Sequence, residues 1–361
     1  MSPTGNWPLH HPACRWTAIM LEILEKGVWM TPLKLGVVGT GRLGGFHAAK
    51  AAVNPKIEFV GVYDADFGRC REVAAQHQVT PFASLDELAK NVEAAVIAAP
   101  TVLHHELAKH LLQRKIHLLV EKPVTVLPED AEELVAIAKK KDVALLVGHT
   151  EQFNMAWRDW HTRICELLEH GPALIDAKRT SGYTFRSVDV GAVLDLMIHD
   201  IELVLSIVPH EVVSVEAIGF SSLGGHEDTA EARVTFADDT VARFFASRVS
   251  PQAVRSMTIQ SKHRWIEIDF AARKTVSLTA SKDVVHGTFA PGQQGTASIA
   301  TFMQDHFSRE ESSYEAFDAL ALEMNDFAET VLCGRPSSCL SGQRAAKAVR
   351  VATQILEKIR C

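Results

Sequence analysis

Short apolar runs punctuate the chain from residue 33 onward: LKLGVVG (33–39), IEFVGVYD (57–64), AAVIAAP (94–100), HLLVEKP (117–123) and VALLVGH (143–149). Each is too short for a buried helix and ends in glycine, proline or a polar residue. That pattern reads as a strand covered on both faces. Helical stretches lie between them. In SLDELAK (84–90), Ser84 offers an N-cap and Glu87 completes a capping box. LPEDAEELVAIAKKK (127–141) begins with proline and acids and ends in lysines, the charge order a helix dipole favours. Strand and helix in alternation predict a doubly wound parallel sheet.

After residue 150 the pattern changes. A helix is expected over about 154–170, followed by LIDAKRTSGYTF and an apolar helix at 189–208. Strand-like alternation then dominates in VVSVEAIGF, EARVTFADDTVARFFASRV and RSMTIQSKHRWIEIDF, with ADDT (237–240) as a hairpin turn. Two amphipathic helices close the chain, separated by Gly334 and Pro336. The expected fold class is α/β: an N-terminal Rossmann-type parallel sheet over 31–150, then an α+β domain on a mostly antiparallel open sheet over 151–361. The final helices are candidates to pack back on the N-terminal domain. Residues 1–30 read as an extension or a mis-called start, because Met30 directly precedes a natural domain start.

The helix DVGAVLDLMIHDIELVLSIV (189–208) poses a question of its own. On a 3.6-residue period Leu194, Ile198, Ile201 and Leu205 form a core stripe. Asp195, His199, Glu202 and Ser206 form the adjacent stripe. Asp195 and His199 have three readings: a solvated edge, two ligands of a metal site that lacks a third, or a carboxylate and imidazole projecting together for proton transfer. Glu202 and Ser206 are expected on a solvated edge.

Three further motifs carry chemistry. GTGRLG (39–44) is a GxGxxG after a buried strand and before a helix, with Asp64 at the end of the next strand. In that context Gly39 makes a tight turn, Gly41 admits a pyrophosphate, and Gly44 allows close helix–strand packing. Arg42 and Leu43 open the helix whose N-terminus meets the phosphates. Asp64 is expected to accept from the adenosine ribose hydroxyls. Its charge favours NAD, although Arg42 leaves NADP possible. In AAPTVLHHELA (98–108), Pro100 and Thr101 end a parallel strand where ligands gather, and Thr101 is either a contact or an N-cap. In EKPVT (121–125), Glu121 and Lys122 also follow an apolar strand. Lys122 either donates to a substrate oxygen or makes a strand-end salt bridge, and the bond to Pro123 is a candidate for cis.

Composition narrows the partners. The net charge of −7 offers no electrostatic case for nucleic acid or an anionic membrane. No apolar run reaches the ~18–20 residues that span a bilayer. The six cysteines form no CxxC pair, so reduced thiols and a cytoplasmic setting are expected, with no metal site.

Taken in this order, GTGRLG, Asp64, APTVLH, EKP and DLMIHD, with GRPSSCLSGQRAAKAV near the end, resemble the glucose–fructose oxidoreductase / inositol dehydrogenase (Gfo/Idh/MocA) family over about 33–355. The resemblance implies a sugar or polyol dehydrogenase that uses a nicotinamide cofactor and a C-terminal sheet that assembles homo-oligomers. It implies that Lys122, Asp195 and His199 are catalytic and that His104 lies at the cofactor. Met197 departs from the family, where glycine is frequent. The wording RSVDVGAVLDLMIHDIELVLSIV with GHTEQFN looks most like a subgroup that oxidises carbon 3 of UDP-N-acetylglucosamine. Phe153, Asn154, Arg179 and Arg186 are then expected at the substrate, with the arginines (and Lys178) near its diphosphate. Two rivals stand beside this reading: a non-catalytic NAD-binding sensor, and an enzyme that keeps NAD bound as an internal redox carrier.

Overall fold

The structure, a computed structural model, describes residues 31–184, 190–286 and 299–359, so residues 1–30 and Arg186 lie outside the described residues. Six parallel strands form the first sheet: β1 (Leu33–Val38), β2 (Ile57–Tyr63), β3 (Thr80–Pro81), β4 (Ala94–Ile97), β5 (His117–Glu121) and β6 (Leu145–Gly148). Their order is β3-β2-β1-β4-β5-β6, the doubly wound dinucleotide-binding order. Helices α1 (Arg42–Val53), α2 (Phe67–His77), α3 (Leu85–Ala89), α4 (His104–Gln113) and α5 (Pro128–Lys141) make the crossovers. Ser84 caps α3 as expected, accepting from the Glu87 N–H. The Glu87 carboxylate reaches the N–H of Ala83, one residue further back than a standard capping box.

Beyond β6 come α6 (Met155–Leu168), β7 (Leu174–Thr180), a π-helical turn at Val193–Met197 and α7 (Ile198–Ile207). The second sheet adds β8 (Val212–Phe220), β9 (Thr229–Phe236), β10 (Val241–Ser247), β11 (Val254–Gln260), β12 (Arg264–Asp269) and β13 (Lys274–Ala280). Short helices α8 (Lys282–Val285) and α9 (Ile299–His306) precede its last strand, β14 (Phe307–Ser313). Its order is β14-β13-β12-β11-β7-β10-β9-β8. Only the β7–β10 pair is parallel, and the expected ADDT turn links antiparallel β9 and β10. β14 (FSREESS) escapes a reading by hydrophobic alternation because it is polar, as suits a charged edge strand.

The two closing helices, α10 (Ala319–Cys333) and α11 (Gly342–Lys358), return to the N-terminal sheet. Met324 and Phe327 of α10 join Leu35, Val37 and Leu119 in the core on one face. Ala345, Val349 and Ala352 of α11 join Ile97, Val120 and Leu134 in the core on the other. Alternate strand residues supply the two faces because strand side chains alternate sides. Gly334 ends α10 at a φ of 61°, a left-handed C-cap. Just beyond the carboxyl ends of β5 and β6, Lys122 and His149 meet the π-turn and α7 through Asp195 and His199, so both halves of the chain contribute to the site.

Candidate active site

The loop after β1 has the geometry a dinucleotide needs. Gly39 has a φ of +90°, and a Cβ there would sit 2.6 Å from the Ala98 carbonyl oxygen. A Cβ on Gly44 would meet the Gly39 carbonyl oxygen at 1.8 Å, so α1 packs against this turn only without a side chain. Gly41 faces open space. It begins α1 with no side-chain cap, and no acid lies in the first turn. A helix end with free N–H donors, open space before it and no competing carboxylate suits an anion such as a pyrophosphate. Arg42 and Leu43 are exposed at the same end. Asp64 ends β2 and accepts from the Thr40 N–H at 2.6 Å, the Thr40 hydroxyl at 2.9 Å and the Asp66 N–H at 2.8 Å. Burial pushes its carboxyl up, but these donors outweigh burial and hold it below the ordinary value. Asp64 is thus an ionised acceptor, and lone pairs remain for ribose hydroxyls. Pro100 is exposed and Thr101 partly so, beyond β4. These residues fit NAD.

Lys122 follows β5, and its peptide bond to Pro123 is cis. Its ammonium donates to the Asp195 main-chain carbonyl at 2.7 Å and to the Asp195 carboxylate at 3.1 Å. Asp195 lies in the π-turn. Such turns interrupt the i→i−4 ladder, which leaves carbonyls to accept from elsewhere. Two of the three ammonium donors are used and one is left for a substrate oxygen. His199, one turn on, has no partner among the described residues for its buried Nδ1. Burial, then the charges of Lys122 and Arg179, push its pKa well below 6.5, so the ring is neutral near pH 7. His149, just after β6, meets it edge-on at 6.2 Å between ring centroids. Met197 is buried behind the turn.

Several expected contacts are relocated. His104 is buried, and its ring nitrogens face the Pro123 and Ala99 carbonyls at 2.9 Å each. It braces the Lys122–Pro123 turn against the end of β4 and presents no free nitrogen to a cofactor. Glu121 is also buried, and it accepts from the Lys122 N–H and bonds the His47 ring at 2.7 Å. Phe153 is 2% exposed, which places it in the core under the site. Asn154 caps α6 through the Ala156 N–H and donates to the Phe270 carbonyl.

Arg179 is also consumed. It bonds Asp200 through both Nε and Nη2 and Glu151 through Nη1, with 3% of the residue exposed. No diphosphate reaches it without breaking that buried network. Glu202, expected on a solvated edge, is 1% exposed and held by Arg344 and Gln152. Ser206 bonds the Leu203 carbonyl.

Two residues beside Glu121, His47 and Glu323, gave no sequence signal. His47, Glu121 and Glu323 are all buried, with candidate donor atoms within 4.8 Å of one another. Neither Glu323 oxygen has a hydrogen-bond partner among the described residues. Burial, then the Glu121 and Asp326 charges, raise its pKa well above 4.5, so it is a neutral acid. Burial also pushes Glu121 up, but its bond to His47 more than reverses this. Two carboxyls in a buried space thus divide into one ionised and one protonated. His47 sits in an ordinary helix, and Glu323 is 202 residues from Glu121, too far apart for any local pattern to pair them.

Comparison with known proteins agrees with this architecture. Residues 33–149 match the family described as oxidoreductase, NAD-binding Rossmann fold, and residues 151–267 match the GFO/IDH/MocA C-terminal domain. The chain is 33% identical over 336 residues to the UDP-N-acetylglucosamine 3-dehydrogenase of Acidithiobacillus ferrooxidans, covering 90% of this chain and 98% of that one. A solved structure of that organism's UDP-N-acetylglucosamine 3-dehydrogenase GnnA superposes with a TM-score of 0.77 at 29% identity, covering 91% of this chain and 98% of the other. The myo-inositol 2-dehydrogenase of Thermotoga maritima is 27% identical over 206 residues, covering 52% and 58% of the two chains. The nucleotide cleft, the Lys122–Asp195–His199 group and these matches together show that the chain belongs to the Gfo/Idh/MocA family of NAD-binding oxidoreductases.

Proposed function

We propose that the protein transfers hydride between NAD and a ring carbon of a nucleotide-linked amino sugar, with carbon 3 of UDP-N-acetylglucosamine as substrate position. The observation that carries the chemistry is the placement of the Lys122 ammonium on Asp195, beside a neutral His199, at the open end of the cofactor sheet. The choice of sugar rests on similarity to a UDP-N-acetylglucosamine 3-dehydrogenase across nearly both full lengths.

When bound, the nicotinamide supplies the hydride acceptor. The remaining work belongs to the chain. Gly41 and the α1 N-terminus hold the pyrophosphate and Asp64 the ribose. Lys122 donates to the reacting oxygen and stabilises negative charge as the hydroxyl loses its proton. His199, neutral and within the same group, accepts that proton. Asp195 fixes the lysine. Retention of all three groups speaks against a sensor without catalysis.

The register of β7, β10, β9 and β8 puts Leu174, Ile218 and Phe220 on one face of the eight-stranded sheet. All three are exposed, and we assign this face to a second copy of the chain. Light scattering tests it: a monomer at micromolar concentration overturns the assignment. No helix among the described residues is long and apolar enough to cross a membrane. The described cysteines 70, 165, 333 and 339 are free.

The test of the reaction is NAD⁺ reduction followed by absorbance, with free polyols, free sugars and UDP-linked sugars in parallel. Activity with UDP-N-acetyl sugars is expected. Activity with free polyols alone removes the nucleotide-sugar assignment, and inactivity on the whole panel favours the sensor.

A further inference from the structure

A cavity of about 300 Å³ opens between the end of β6 and the second sheet, lined by Thr150, Glu151, Asn154, Arg255, Phe270 and Arg273 among others. Thr150 and Glu151 directly follow His149, whose ring meets His199 edge-on. The cavity therefore adjoins His149 along the chain, and the charge of Arg255 on its rim is among those that act on His199.

Its charge balance is distinctive. Arg255 is paired with Arg179 across antiparallel β11 and β7, so the two side chains leave the sheet on one face. Arg179 is bound by Asp200 and Glu151. Arg255 lies 3.7 Å from the same Glu151 oxygen that Arg179 holds at 3.0 Å, and its side chain is 58% exposed. Arg273 donates through Nε to the Tyr314 carbonyl at 3.3 Å, a contact that neutralises no charge. Three guanidinium groups thus meet two carboxylates, and the surplus positive charge faces the cavity. Glu151 lines it as well, but its carboxylate is held by Arg179. Thr150 adds a hydroxyl, whereas the Asn154 amide is committed to Ala156 and Phe270. Two guanidinium forks converging on a small polar cavity suit phosphoryl oxygens, which accept bidentate hydrogen bonds from arginine.

We propose that Arg255 and Arg273 form a subsite for the phosphoryl group of a phosphorylated sugar substrate whose ring reaches Lys122 and His199. This rests on the reading of the protein as a sugar dehydrogenase and adds the element that selects phosphorylated sugars over free ones. It transfers to Arg255 and Arg273 the role expected of Arg179 from its place in the chain. The shared chemistry is a phosphoryl anion, carried by either a nucleoside diphosphate or a sugar monophosphate.

The test uses the full chain with NAD present. Binding of UDP and of glucose 6-phosphate is measured by calorimetry for wild type, Arg255→Gln, Arg273→Gln and the double variant, with melting temperatures to confirm folding. The expected result is that wild type binds one of the two ligands and the double variant binds it at least tenfold more weakly. UDP as that ligand identifies a nucleotide sugar, and glucose 6-phosphate a sugar monophosphate. With the substrate, KM should rise far more than kcat falls. The proposal is overturned if neither ligand binds wild type, or if the folded double variant binds as well as wild type. A wild type that oxidises UDP-N-acetylglucosamine while the variants keep its KM removes the subsite and leaves the proposed reaction standing. A wild type that binds UDP through these arginines yet oxidises no UDP-sugar removes the proposed substrate and leaves the subsite.

Discussion

The Lys122 ammonium makes two contacts with one residue, the carbonyl of Asp195 at 2.7 Å and its carboxylate at 3.1 Å. A strand end from the cofactor sheet is thereby tied to the π-turn that opens α7. Lys122→Met removes the donor to the reacting oxygen, and kcat should fall by about 10²–10⁴ while NAD affinity changes little. Asp195→Asn keeps the main-chain contact, so its loss should be smaller, about tenfold. Steady-state kinetics with NAD titrated by fluorescence checks both. Equal losses in the two variants would show that the carboxylate, not the placement of the lysine, matters most.

Asp64 is expected to set the preference between NAD and NADP. Its carboxylate is ionised and held by Thr40 and the Asp66 N–H. A 2′-phosphate beside it meets a like charge. Asp64→Ser should raise the NADP over NAD ratio of kcat/KM by about 10–100-fold, or ~1.4–2.8 kcal/mol. A ratio that stays put would assign the preference elsewhere.

Arg179 is structural. Arg179→Met leaves Asp200 and Glu151 buried without their shared cation, and stability should drop by about 3–5 kcal/mol. Denaturant unfolding measures it. A fully stable variant with a raised substrate KM would restore Arg179 to the substrate.

Glu323 is a buried acid with no hydrogen-bond partner among the described residues and a raised pKa. A raised carboxyl pKa means that the unfolded chain releases its proton first. Stability is therefore complete below the ordinary value of 4.5 and falls as pH rises towards the folded value. Glu323→Gln should stabilise the protein by about 1–3 kcal/mol near pH 8 and change little near pH 4. Melting curves across that range test the slope.

Buried histidines act in the opposite sense. His104, His149 and His199 all have lowered pKa values, with burial as the leading cause in each. The unfolded chain takes up protons first as pH falls through 6.5, so stability is present above that value and is lost below it. Wild type should lose more stability than His149→Phe between about pH 7 and about pH 5.5, because only the wild-type chain gains from protonating this imidazole when it unfolds. Parallel melting curves for the two proteins would contradict this.

Much of the cofactor half was legible because its signals are local. An apolar run followed by glycines places a strand end, a helix start and a phosphate site within a few residues, and Asp64 follows at the next strand end. Asp195 and His199 also held their place relative to Lys122, since helical spacing and family order both point them there. Local pattern failed where burial depends on a distant partner. Glu202 looks like a solvated edge until Arg344, 142 residues away, closes over it. Arg179 looks like a free cation until Asp200 and Glu151 surround it. Phe153 and His104 follow strand ends yet turn inward.

By itself, then, the sequence determined the alternation of strands and helices and the nucleotide turn, and it singled out Lys122, Asp195 and His199 as candidates, because each depends on neighbours along the chain. Only the tertiary structure decided which charges are spent on one another and which remain for a ligand. Glu121 and Glu323 divide one proton between them, and Arg255 faces a cavity that Arg179 does not. The physical reason is that desolvation and pairing are set by what packs across space, and the closing helices and the second sheet bring those partners from the far end of the chain.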